Sequence, residues 1–139
     1  MNLLDVNVWL ASSWRNHESH ERVSAWVPRA TGSLGLCRVT QMGFLRLATI
    51  PAIAGADALT RRQAWQALDD LVRQSTVTWL DEPADLDRVW RAISAGDDQS
   101  HKLWTDDYLA AFAQVADLTL VTLERSFVKR YPSVRVEVI

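Results

Sequence analysis

The stretch Asn2-Leu3-Leu4-Asp5-Val6-Asn7-Val8-Trp9-Leu10-Ala11 decides how the rest of the chain reads. Two leucines stop at an acid, and a second apolar run follows at once. A carboxylate is costly to hold beside a core unless it is paired, hydrogen-bonded or bound to a cation. The segment therefore reads as a short buried strand, Leu3 to Asp5, opening into a helix, with Asp5 at the junction. Taken alone, Asp5 is best read as a helix cap, since Asp accepts backbone N–H bonds at helix starts.

Outward from this stretch the pattern repeats. A helix is expected from Ser19 to Ala30, with Val23, Trp26 and Val27 on one face, then a strand from Leu34 to Cys37. Thr40 is expected to cap a helix through Leu47, ended by Pro51, and Thr60-Arg61-Arg62-Gln63 matches a capping box for the next. Val77 to Leu80 reads as a strand, and Leu86, Val89, Trp90 and Ile93 mark a helix stopped near Gly96. Trp104 to Ala116 is an amphipathic helix. A strand at Leu118 to Val121, a short helix at Ser126 to Tyr131 and a strand at Val134 to Ile139 complete the chain. No repeat, linker or low-complexity tract appears, so residues 1–139 read as one domain. Short apolar strands alternating with helices predict an α/β fold, a three-layer α/β/α sandwich around a parallel sheet of about five strands. Ligands in such sheets sit at the carboxyl ends of the strands.

Composition narrows the function classes. The single cysteine, Cys37, can form neither an intrachain disulfide nor a cysteine–zinc cluster, which fits a reducing compartment. The first residues lack a basic segment, and no apolar run approaches membrane-spanning length, so a cytoplasmic protein is expected. A net charge of -2 argues against a general nucleic-acid coat. Thirteen arginines against two lysines suit phosphate contacts, although on composition alone a genomic preference for arginine is the better account.

Two further places repeat the strand-end acid. Thr105-Asp106-Asp107 opens the helix through Ala116, where acids complement the helix dipole. Successive helical residues point about 100° apart, so only one of the two should face a shared site. Glu124 follows the strand Leu118 to Val121. Three carboxylates at equivalent junctions suggest a site for a hard cation such as Mg²⁺. His17 and His20, three residues apart, lack an evident third ligand, and His101 reads as exposed.

These segments resemble PIN-domain ribonucleases, in particular VapC toxins. Asn2 to Val8 is similar to the family's opening strand, Trp104 to Ala111 to its acidic helix start, and Val121 to Phe127 to its last acidic turn. Val39-Thr40-Gln41-Met42-Gly43-Phe44-Leu45-Arg46-Leu47 resembles a block of actinobacterial-type VapC toxins. The resemblance implies an endoribonuclease with Asp5, Asp106 and Glu124 as metal-binding and catalytic acids, and Mg²⁺ or Mn²⁺ as cofactor. It makes Asn7, Gln41, Thr122 and Asp107 accessory, with Asp107 pointing outward. It also implies a homodimer silenced by a VapB-type antitoxin whose tail lies in a tryptophan-containing groove between the early helices. Arg38, Arg46 and Arg125 are candidates for holding RNA phosphates. Two departures stand out. Glu124 replaces the usual aspartate, and Gly43 stands where a helix glutamate is common, which raises the alternative of a weak or inactive binding module. A haloacid-dehalogenase-type phosphatase would want an acid where Asn7 stands. A response-regulator receiver would want paired early acids and a late-strand lysine, and neither is present.

Overall fold

The computed structural model describes Met1–Ile139. Five strands form one sheet: β1 (Asn2–Leu4), β2 (Leu34–Leu36), β3 (Val77–Trp79), β4 (Thr119–Thr122) and β5 (Arg135–Val138). Their order is β3-β2-β1-β4-β5, and every pairing is parallel. The expected α/β/α sandwich and strand count are both found. The helices are α1 (Val6–Ser13), α2 (His20–Trp26), α3 (Arg38–Ala48), α4 (Pro51–Ala54), α5 (Arg61–Val72), α6 (Leu86–Ser94), α7 (Leu103–Val115) and α8 (Ser126–Arg130).

Alternation along the central strands sorts the core into two layers. Leu3 and Leu120 point to one face, where they meet Leu109, Phe112, Phe127 and Tyr131 from α7, α8 and the residue after it. Leu4 and Val121 point to the other, joining Trp9 of α1, Val23 of α2, Phe44 of α3 and Leu68 of α5. β1 is buried throughout, which is why its sequence is a plain apolar run. The edge strands differ: β3 leaves Trp79 exposed, and β5 alternates exposed Arg135 and Glu137 with half-buried valines.

Several boundaries depart from the sequence reading by a residue or so, and Pro51, expected only to end a helix, opens the short α4. The second helix is shorter than expected: regular α-helix ends at Trp26 and tightens into a 3₁₀ turn over Val27–Arg29, with Pro28 inside it. Thr40 is not a helix cap. Cys37 holds that position, and Thr40 sits one turn in, its hydroxyl accepting from Cys37 N at 3.0 Å and donating back to Cys37 O at 3.0 Å. Thr60, by contrast, does cap α5, with Gln63 closing the reciprocal bond.

Gly43 has a packing role. A Cβ at this position of α3 would stand 2.6 Å from Val6 Cγ2, so the helix approaches α1 only because the side chain is missing. That approach sets α3 against the end of β1. Gly43→Ala should therefore destabilise the protein by about 1–3 kcal/mol through overpacking, less up to about 1 kcal/mol of improved helix propensity. Adding Val6→Ala should recover part of the loss in denaturant titrations. A Gly43→Ala protein as stable as wild type would show that the contact is not tight.

Candidate metal and nuclease site

The sheet order reverses direction between β1 and β4, each of which sends its connection to opposite sides. Crevices form outside the strand ends at such points. Asp5 lies at this one. Its backbone N–H donates to Val121 O at 2.9 Å, continuing the β1–β4 ladder one step past the strand. Its side chain then turns to cap α1, with Oδ1 accepting from Val6 N at 2.6 Å. The capping reading and the site reading of Asp5 thus apply to the same carboxylate. Oδ2 accepts from the buried Thr122 hydroxyl at 2.9 Å, and Thr122 Oγ1 in turn accepts from Glu124 N at 3.1 Å.

Asp106 reaches the same cleft from the first turn of α7. A hollow of about 430 Å³ is lined by Asp5, Asn7, Gly43, Arg46, Thr105 and Asp106, with Val6, Val39, Met42 and Leu47 supplying apolar walls. Asp106 Oδ2 is held by the Arg130 guanidinium at 3.0 Å. Arg130 also lies near the Phe127 and Tyr131 rings, which helps fix its position.

Crowding shows in the electrostatics. Burial lifts the Asp5 carboxyl to about 6, against the pull of its hydrogen bonds from Thr122 and Val6, and the charge of Glu124 adds to the rise. Asp106 is lifted to about 6 as well, first by burial, then by the charges of Asp5 and Glu124, which together outweigh Arg130. No three acid, imidazole or thiolate groups close into a ready-made cluster around a point. What the cleft offers is two converging carboxylates, Asp106 pushed by the charge of Asp5 and both pushed by a third charge at the margin, Glu124. This donor set suits a hard divalent cation, which takes carboxylate oxygens and supplies its own waters.

The remaining candidates fall into place individually. Glu124 is exposed at the turn after β4, near enough for its charge to act on both aspartates, but outside the lining of the cleft. Asn7 and Arg46 line the cleft. Gln41 does not: its side-chain oxygen accepts from Arg38, whose guanidinium stacks 4.7 Å from the Trp79 ring. Arg125 is exposed beside Glu124. Asp107 corrects the sequence reading, for it points inward and is buried. It accepts from the Tyr131 hydroxyl at 2.6 Å, and burial together with this bond pushes the phenol's pKa upward. The reason is α7's placement, which buries every residue from Asp107 to Ala113 and leaves Asp106 at the cleft margin. His17 Nδ1 accepts from Ser19 N, and His20 Nδ1 contacts Ala11 O, so each has local work in the α1–α2 turn. His101 is exposed. Arg130 and Tyr131 were missed in the sequence, because their partners lie 24 residues away and no local spacing announces them.

A PIN domain model matches residues 3–131, and the chain belongs to the PIN-domain family. Within it, the relatives are VapC proteins of Mycobacterium tuberculosis. The chain is 36% identical to Ribonuclease VapC41 over 133 residues, covering 91% of each chain. It is 33% identical to Ribonuclease VapC44, covering 89% of this chain and 86% of that one. Among solved structures, M. tuberculosis VapC20, described as a sarcin–ricin loop cleaving toxin, superposes with a TM-score of 0.70 at 13% identity, covering 93% of this chain and 94% of that one. A VapBC2 chain from Rickettsia felis, solved bound to promoter DNA, gives 0.69 at 14% identity over 99% and 98%. These distant likenesses concern the fold.

Folding raises both aspartate pKa values, so between about pH 4 and 6 the folded state keeps protons that the unfolded chain has released. For these groups, stability is greatest at low pH, declines as pH rises through that window and stays lower above it. Asp5→Asn should therefore stabilise the metal-free protein at pH 7 by roughly 1–2 kcal/mol and much less at pH 4.5. Thermal melts at the two pH values check this, and equal shifts at both would detach the effect from ionisation.

Proposed function

We propose that the protein is the endoribonuclease toxin of a VapBC-type toxin–antitoxin module, hydrolysing RNA phosphodiester bonds with Mg²⁺ or Mn²⁺. The observation that carries this reading is the convergence of Asp5 and Asp106 on one cleft at the β1–β4 crevice, Asp5 lifted to about 6 by burial and the charge of Glu124, Asp106 to about 6 by burial and the charges of Asp5 and Glu124. Identity to two VapC ribonucleases over nearly the whole chain supports the substrate class.

Asp5 and Asp106 would hold the ion, with Glu124 joining from the margin. A bound dication would supply Lewis-acid activation of water and of the scissile phosphate. The protein's share is positioning. Val6 N–H and the Thr122 hydroxyl fix the two oxygens of Asp5, each of which retains a further lone pair. Arg130 takes Asp106 Oδ2 and leaves Oδ1 without a protein partner. With both acids ionised and only Asp106 paired, to Arg130, the acidic end of the cleft disfavours phosphate until a cation offsets the remaining charge. Gly43 does not favour an inactive module: its missing side chain is explained by the contact with Val6.

The partners follow the same reading. An apolar hollow between α1, α3 and α4, lined by Leu10, Trp14, Phe44, Leu47, Ile53 and Leu59, is suited to an apolar side chain of an antitoxin tail. Its rim is tied by Asp57, which accepts from Trp14 Nε1 at 2.9 Å and Asn16 Nδ2 at 2.6 Å. A VapB-type antitoxin and a homodimer belong to this proposal. No helix is long and apolar enough to cross a membrane.

The purified protein should cut total cellular RNA into discrete fragments with Mg²⁺ or Mn²⁺. Cutting should cease with EDTA and fall at least about 100-fold in Asp5→Ala and in Asp106→Ala. At sub-saturating Mg²⁺, where binding must displace the protons that the free acids hold up to about pH 6, the rate should climb from pH 5 to 7 and then level off. Cleavage that persists in EDTA or in both variants would overturn the metal-dependent reading.

A further inference from the structure

Trp104 is the most exposed of the seven tryptophans, at 57%. It stands in the first turn of α7, directly before Thr105 and Asp106, both of which line the acidic cleft. Successive helical residues point about 100° apart, so Trp104 leaves that turn on the side away from Asp106. There it forms one wall of a separate hollow of about 320 Å³ between α7 and α6. Asp87, Trp90, Arg91 and Ser94 supply the opposite wall, their spacing of three and four residues placing them on one face of α6.

The exposed indole is supported from the core. Its ring meets Trp90 edge to face, with centroids 6.3 Å apart and planes at 80°. Trp90 meets Tyr108 in the same way at 5.5 Å and 86°, and the buried Tyr108 is tied to Glu82 through its hydroxyl at 2.7 Å. An edge-to-face contact uses at most one face of the outer ring, which leaves the other for a ligand. The support also restricts the indole before anything binds, so a stack formed on it costs less ordering. The only charges in the lining are Asp87 and Arg91, which face each other at 3.8 Å and offset one another.

We propose that Trp104 is the stacking platform for an unpaired base flanking the cleaved bond of single-stranded RNA, the base seated in the α6–α7 hollow and the reactive phosphate over Asp5 and Asp106. The assignment rests on the ribonuclease reading and adds a recognition residue to it. Two observations favour a base as the occupant. The hollow is aromatic with its charges offset, which suits the flat, uncharged part of a nucleotide better than a phosphate. It also shares the opening turn of α7 with the acidic cleft, through Trp104 on one side and Thr105 and Asp106 on the other, so a strand crossing that turn engages both.

The test measures binding of a short, mixed-sequence single-stranded RNA at low salt in EDTA, so that nothing is cut. A chain of the same length carrying abasic residues throughout is the second probe, and molecular mass is followed by sedimentation. Trp104→Leu keeps an apolar contact for Trp90 but offers no π-face. It should weaken RNA binding about tenfold and leave the abasic chain unaffected, whereas Trp104→Phe should largely retain RNA binding. The slope of log affinity against log salt should be the same in both variants as in the wild type, because no phosphate contact is lost. Unchanged RNA affinity in Trp104→Leu overturns the proposal, as does an equal loss for both probes. A loss that comes with a change in mass also overturns it, since Trp104 would then be a contact between protein chains. Cleavage that depends on Asp5, Asp106 and metal would survive each of these, so the platform can fail while the nuclease reading stands.

Discussion

The cleft hangs on the seam between β1 and β4. The Asp5 N–H continues the ladder onto Val121 O, and one residue further along β4 the Thr122 hydroxyl meets the Asp5 carboxylate. The same parallel register that pairs Leu4 with Val121 therefore also sets the position of an acid. A slip of one residue would turn Thr122 to the opposite face of the sheet and leave a buried carboxylate without its partner. Backbone pairing and site geometry cannot vary independently here.

Much of this was legible because it is local. Strand ends, apolar faces and acids at junctions all follow from short-range periodicity, and they sufficed for the sheet, the layer order and the placement of Asp5 and Asp106 on one cleft. What escaped depends on contacts distant in sequence. Asp106 and Asp107 are alike as residue types, and rotation about α7 alone separates a cleft acid from a buried partner of Tyr131. Which one turned inward could be decided only by α8 packing beneath them. Gln41 behaves similarly. Its helix carries it beside the cleft, yet Arg38, placed by its stack on Trp79 of the neighbouring strand, claims its oxygen. Gly43 looked like a lost ligand until Val6 was seen to fill the space.

The cleft also shows how a site can be strained without an unusual backbone. Both aspartates have ordinary surroundings in part: Asp5 caps a helix, and Asp106 pairs with an arginine. Each nonetheless resists ionisation, since burial and neighbouring charge outweigh those contacts. The destabilisation sits in the charge distribution, where a bound cation would relieve it and so would couple affinity for such an ion to the stability of the fold.

The two margins of the sheet have a bearing on assembly. β3 is three residues long, and its exposed Trp79 is covered by the Arg38 guanidinium. β5 presents Arg135 and Glu137 outward. Short, charged edges of this kind discourage a further strand from adding to the ladder. The sheet is in effect a finished ribbon, closed to lateral growth on both sides. Companions are then left the strand ends and the helical layers, where side chains do the binding, so specificity can change there without disturbing the pairing of the strands.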